Sequence, residues 1–150
     1  MDTITLIPPE RVLPGSTASS KRALLTEMAH SLSSMDPDRV LEVVMAREHL
    51  GSTGIGHGVA IPHGRMPDLA NPVIVLARHQ KGIDFDAIDG APVHIVILLL
   101  VPDSEDQSHL ELLARLARLL QQDPFRDAIM HADSPQTISG LFSEKSQQSG

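Results

Sequence analysis

The residues best placed to do chemistry are two histidines and an arginine gathered around a glycine-rich run. His63 stands between Pro62 and Gly64 at the end of the stretch GSTGIGHGVAIPHGR, residues 51–65, which holds five of the ten glycines. Pro62 sets the backbone φ just before the imidazole. Gly64 removes a side chain just after it, leaving room for a ligand or partner to come close. Near neutral pH an imidazole is largely a free base, and histidine is among the side chains that form covalent intermediates.

His109 falls near the start of a predicted helix, on the same side as Leu113, Leu116 and Leu120, so its ring should face the sheet. Helix N-termini attract anions through free N–H groups and the macrodipole. Arg47 falls near the end of another predicted helix, just before the glycines. A cation suits a helix C-terminus whatever the function. If the loop folds back, its guanidinium can also fork two oxygens of a phosphoryl group on His63. Ser52, Thr53 and Ser108 offer hydroxyl donors near the same place or cap turns, and His57 shares the glycine loop. His94 should cap the sheet edge, and His30, His49, His79 and His131 read as surface or helix-face residues.

Two other chemistries fare worse. No Gly-Lys-Ser/Thr follows the glycines, so an ATP-binding loop is not supported. Eight histidines raise a zinc enzyme as an alternative, but His57 and His63 are not at helical spacing and no His-Glu-x-x-His occurs. With no acidic cluster beside His63, the reading is metal-free and calls for no cofactor.

The elements that must position these groups follow from periodicity. A short edge strand is expected at 10–13. Leu24, Met28, Leu32 and Met35 recur at helical spacing, predicting a helix over 19–34. Asp36-Pro37 restarts a second over 37–49, with Val40, Val43, Val44 and Leu50 as its inward residues. Strands are expected at 59–61, 73–78 and 94–101, with a short strand or bulge at 83–85 and a turn at Asp89-Gly90. The 94–101 run is apolar almost throughout, so it should be central and covered on both faces. Ser104-x-x-Gln107 forms a capping-box pattern opening a helix over 105–121, with Leu110, Leu113, Leu116, Ala117 and Leu120 on one side. Asp123-Pro124 and Ser134-Pro135 start two more helices, and 143–150 reads as a disordered polar tail. The order predicts a single α/β domain over 1–150: a mixed parallel/antiparallel sheet flanked by helices on both faces. If strands 59–61 and 94–101 are parallel, His63 and His109 meet at one crevice at their carboxyl ends.

Composition narrows the function. The chain has 150 residues and a formal net charge of −7, with no basic run, which argues against nucleic-acid binding. Three Phe and no Tyr or Trp leave little for base stacking. The absence of cysteine excludes a disulfide framework or thiolate site and fits a reducing, cytoplasmic setting. The longest apolar run, Ile95 to Val101, is too short to insert in a membrane, and the first residues lack the pattern of a signal peptide.

The run Arg47-Glu48, GSTGIGHGVAIPHGR, then FDAIDGAPV, ILLLVP and Ser108-His109-Leu110, resembles the IIA domains of the phosphoenolpyruvate-dependent phosphotransferase system. The likeness spans essentially the whole chain; it is to the fructose/mannitol type, and most of all to its nitrogen-regulatory branch. It implies a phosphocarrier with His63 as the phosphorylated histidine, fed by a phospho-HPr-type carrier and regulating partner proteins by its phosphorylation state. It implies His109 as the second site histidine and Arg47 as the phosphate-stabilising arginine. A sugar-transport role, passing phosphate to a fructose/mannitol-type IIB component, is the alternative with an identical site. One departure stands out: His57 occupies a place where a small polar residue such as Asn is expected, and would add a basic group to the site.

Overall fold

The computed structural model describes residues 7–67, 69–103 and 108–148; the side chains of 108 and 144–148 lie outside that description. Six strands form one sheet: β1 (Val12–Leu13), β2 (Gly54–Gly56), β3 (Val59–Ala60), β4 (His63–Met66), β5 (Val73–Ile83) and β6 (Val93–Pro102). Their order is β1-β5-β6-β3-β2, with β4 also paired to β6. β5 runs antiparallel to β6, whereas β3 and β4 run parallel to it. β1 is parallel to β5, and β2 is antiparallel to β3. The sheet is therefore mixed, as its sequence predicts.

β6 is the hub because Ile95–Val101 are all buried, and successive side chains alternate between faces. Val96, Leu98 and Leu100 pack with α1 (Lys21–His30) and α2 (Pro37–Leu50). Ile95, Ile97, Leu99 and Val101 pack with α3 (Ser108–Leu120), α4 (Asp123–His131) and α5 (Pro135–Gln148). Each fully buried aliphatic side chain in such layers contributes roughly 1.5–3 kcal/mol of transfer free energy.

Helix starts follow the caps. Ser20 accepts from the N–H of Ala23 at 3.0 Å, and Asp36 from that of Asp38 at 3.0 Å. Ser134 does the same for Thr137 at 3.1 Å. α1 ends at His30 rather than 34, where Ser31 turns its hydroxyl back onto the Met28 carbonyl. The Ser104–Gln107 capping pair lies outside the described residues. α5 runs to Gln148, into the stretch that reads from sequence as a disordered tail.

β5 is longer than its sequence suggests, and the polar His79-Gln80-Lys81-Gly82 run is the reason. The strand continues through an irregular register between Arg78 and Ile83. His79, expected at the surface, is buried. The Gly82 N–H donates to its Nδ1 at 3.1 Å, so Nε2 carries the proton and donates to the Ala18 carbonyl at 2.7 Å. His94 likewise donates from Nδ1 to the His79 carbonyl at 3.0 Å.

Arg78 is also buried. Its Nε donates to the Pro14 carbonyl at 2.8 Å, and Nη1 to the carbonyls of Ile129 and Ala132 at 2.9 and 2.7 Å. One guanidinium thus satisfies the end of α4 and ties it to the chain beside β1. Arg78→Met should cost about 2–4 kcal/mol, because it leaves buried carbonyls without donors. Urea unfolding checks this, and Arg78→Lys should recover only part of the loss, since an ammonium lacks the planar fork.

Candidate functional site

The turn expected around His63 is a strand. After a break at Ile61-Pro62 the chain re-enters the sheet as β4, with His63 opposite Leu99 and Arg65 opposite Val101. Residues two apart on a strand share a face, so His63 and Arg65 project to the same side. The next position, Gly64, faces α2. A Cβ there would lie 2.5 Å from Val43 Cγ1. The glycine therefore makes room for α2 against the strand, rather than for a ligand at the imidazole.

His63 Nδ1 lies 2.9 Å from the Ile61 carbonyl oxygen. A carbonyl only accepts, so in the neutral ring Nδ1 carries the proton and Nε2 holds the lone pair. The ring is half-buried. It borders a cavity of 740 Å³ lined also by Arg47, Gly64, Arg65, His109 and apolar residues of α2, α3 and β6. The three expected site residues, His63, His109 and Arg47, thus share one cavity. His109 is the second residue of α3, near the helix end whose dipole favours an anion. Arg47 Nη1 donates to the Gly51 carbonyl at 2.9 Å, capping its own helix. Among the described residues neither Arg47 nor Arg65 makes an ion pair. Leu50, expected to face inward, and Leu110, expected on one side of its helix with Leu113, Leu116 and Leu120, are 85% and 66% exposed and flank the cavity. α3 instead buries Leu116, Leu119 and Leu120.

Sequence reasoning missed Arg65 as a site residue. The signal was its two-residue spacing from His63, which has meaning only once residues 63–66 are read as a strand.

Other expected contributors lie elsewhere. Thr53 is buried and gives its N–H and hydroxyl to the Glu48 carboxylate. Ser52 donates to the Phe85 carbonyl at 2.5 Å. Neither lines the cavity. Ser108 opens α3, but its side chain lies outside the described residues.

His57 is at the far end of the sheet, and does not join the site. The Gly58 carbonyl accepts from the N–H groups of His94 and Ile95, five positions along β6 from Leu99, or roughly 16 Å at strand rise. There His57 lines a separate cavity of 210 Å³ with His94, Arg126 and Asp127. Its φ of +59°, followed by +76° at Gly58, makes the two-residue turn joining β2 to β3. Such a turn wants Asn-Gly or Asp-Gly; histidine is also enriched at positive φ. Turn geometry accounts both for the expectation of Asn and for the histidine that replaces it. Among the described residues no three His, Asp or Glu side chains gather as a metal-ligand set.

Among the described residues the imidazole of His63 is tied at Nδ1, and a second imidazole and two guanidiniums line the same cavity, a set suited to holding an anionic group. Residues 5–145 match the family described as "Phosphoenolpyruvate-dependent sugar phosphotransferase system, EIIA 2", and the chain belongs to that family. It is 39% identical over 145 residues to a nitrogen regulatory protein of Bradyrhizobium diazoefficiens, covering 95% of each chain. It is 35% identical over 109 residues to the fructose-specific EIIA component of Haloferax volcanii, covering 73% of this chain and 71% of that protein. The crystal structure of nitrogen regulatory protein IIA-Ntr from Neisseria meningitidis superposes with a TM-score of 0.86 at 35% identity, covering 91% of this chain and 95% of that one. The chain is thus a phosphocarrier of the phosphotransferase system that resembles the nitrogen-regulatory proteins. Among the described residues no helix is long and apolar enough to cross a membrane.

Substitutions at His57 and Gly64 test these assignments by thermal or urea unfolding. His57→Asn should leave stability unchanged or slightly raised, whereas His57→Val should lose about 1–2 kcal/mol, because a β-branched residue resists positive φ. Gly64→Ala should cost about 1–3 kcal/mol through overpacking, and Val43→Ala in the same chain should recover much of it.

Proposed function

We propose that this protein accepts a phosphoryl group on Nε2 of His63 from a phospho-HPr-type carrier in the cytoplasm, and that its phosphorylation state decides which regulatory targets it binds. In the transfer, the N–P bond of the carrier's phosphohistidine breaks and its electron pair stays on the carrier's imidazole. The lone pair of His63 Nε2 forms the new N–P bond. Such a reaction asks the protein mainly for positioning and charge stabilisation. Arg47 and His109 supply donors for the phosphoryl oxygens, and Arg65 adds a second guanidinium beside them.

The single observation carrying this reading is the Nδ1 contact to Ile61, 2.9 Å long, which leaves Nε2 as the nucleophile in the shared cavity. The regulatory emphasis rests on likeness to nitrogen regulatory proteins along most of both chains. A second reading draws on the likeness to a fructose-specific EIIA component: the same phosphohistidine would pass its group to a IIB component and on to a sugar.

The test is transfer of labelled phosphate from phosphoenolpyruvate through the general enzyme and the carrier protein. Wild type should gain acid-labile label and His63→Ala none. Arg47→Ala and His109→Ala should slow transfer roughly 10- to 1,000-fold, the scale of losing one transition-state donor, and His57→Ala should match wild type. Equal labelling of His63→Ala would overturn the proposal. Label reaching a sugar once IIB and permease components are added would favour the transport reading.

A further inference from the structure

Arg47 rests on the Gly51 carbonyl, and the structure shows what holds that carbonyl. The neighbouring residue, Glu48, grips the chain on both sides of it. Its backbone carbonyl accepts from the Gly51 N–H at 3.1 Å. Its carboxylate accepts from the Thr53 N–H at 3.2 Å and from the Thr53 hydroxyl. Gly51 is thereby clamped between two attachments to one residue.

The carboxylate is deeply buried, its side chain 2% exposed, and its counter-ion is Lys21 Nζ at 3.0 Å. Lys21 in turn faces the Phe85 carbonyl at 3.4 Å, the Phe85 ring at 5.0 Å and the exposed Asp86 carboxylate at 3.6 Å. The clamp is therefore anchored to the start of α1 and to the loop after β5. Buried ion pairs are poor sources of stability, because desolvation offsets much of the attraction. What they can hold well is direction: a carboxylate with several directed partners can sit in only one way.

We infer that Glu48 is the positioning residue of the phosphoryl site. With Thr53 and Lys21 it fixes the Gly51 carbonyl, and through it the place from which the Arg47 guanidinium reaches the cavity. The inference rests on the proposed phosphoryl transfer to His63. It adds that Arg47 works at full rate only while the clamp is intact.

The test is the steady-state rate of transfer from the phosphorylated carrier to the intact chain, with carrier concentration varied. Glu48→Gln and Thr53→Val should lower kcat about tenfold, since small misplacements of a positioned group are costly. KM should stay within about twofold, because the group lost acts in the transition state rather than in docking. Thr53→Ser, which keeps the hydroxyl, should recover the rate. The double variant Arg47→Ala with Glu48→Gln should be no slower than Arg47→Ala alone, because a clamp acts only through what it holds.

Wild-type kcat in both Glu48→Gln and Thr53→Val would overturn the inference. So would a double variant slower than Arg47→Ala by the full Glu48→Gln factor, the pattern of general loosening. Should Glu48→Gln melt below the assay temperature, Thr53→Val, paired with Arg47→Ala, carries both comparisons with the ion pair retained. Transfer to His63→Ala at the wild-type rate would sink the phosphohistidine reading itself, an outcome separate from either of these.

Discussion

Seven consecutive apolar residues, Ile95–Val101, have to be kept from water on both faces of one strand. That constraint shapes the molecule. Two helices must cover one face and three the other, and neighbouring strands must supply the hydrogen bonds along both edges. On one edge a single long strand, β5, does this. On the other the work is split between β3 and β4, with Ile61-Pro62 between them. Across the break the Pro62 carbonyl still accepts from the Leu99 N–H at 2.9 Å, while the Ile61 N–H donates to the Thr53 carbonyl at 3.0 Å on the opposite edge. On that edge, away from β6, the Ile61 carbonyl meets the imidazole two residues on.

The groups around the cavity are held by contacts that leave them usable. Among the described residues His63 is tied at one nitrogen only. Arg47 has one of its five N–H donors on its own helix end. His109 lies in the first turn of α3 (Ser108–Leu120) and lines the same cavity. Polar atoms here are few and fixed, while the walls are aliphatic. This is the common make-up of sites that orient a small group and exclude most water.

Much of this was legible in the sequence, and the rest was not for identifiable reasons. The Pro-His-Gly signature singled out a histidine that borders the cavity, and the apolar run marked β6, because both are local signals. The role of Gly64 was misread because its neighbour, Val43, is distant in sequence. His79 was misread because a polar residue inside a bulge looks like a loop residue until Ala18 and the Gly82 N–H are seen to satisfy it. The opposite error turned Leu50 inward and grouped Leu110 with Leu113, Leu116 and Leu120 on one side of α3. Helical spacing says that two leucines share a side, and cannot say whether that side ends at the sheet or runs past it into an open cavity. Ser52 and Thr53 looked like phosphate donors because hydroxyls beside glycines often are. A buried carboxylate and a main-chain carbonyl claim them instead.

The charge pattern bears on what the proposed phosphorylation of His63 would change at the cavity. The chain carries −7 overall, yet the cavity gathers two guanidiniums outside any described ion pair, with two imidazoles. A phosphoryl group brings roughly −1.5 to −2 charges, enough to offset both arginines. Between aliphatic walls that change is screened less than at an open surface. The exposed leucines at the rim, Leu50 and Leu110, do not change with it. Apolar contact at the rim is therefore offered in both states, and what the proposed modification removes is the positive charge between the leucines. On that proposal a partner docking at the rim would tell the states apart by this charge, with no rearrangement of the fold.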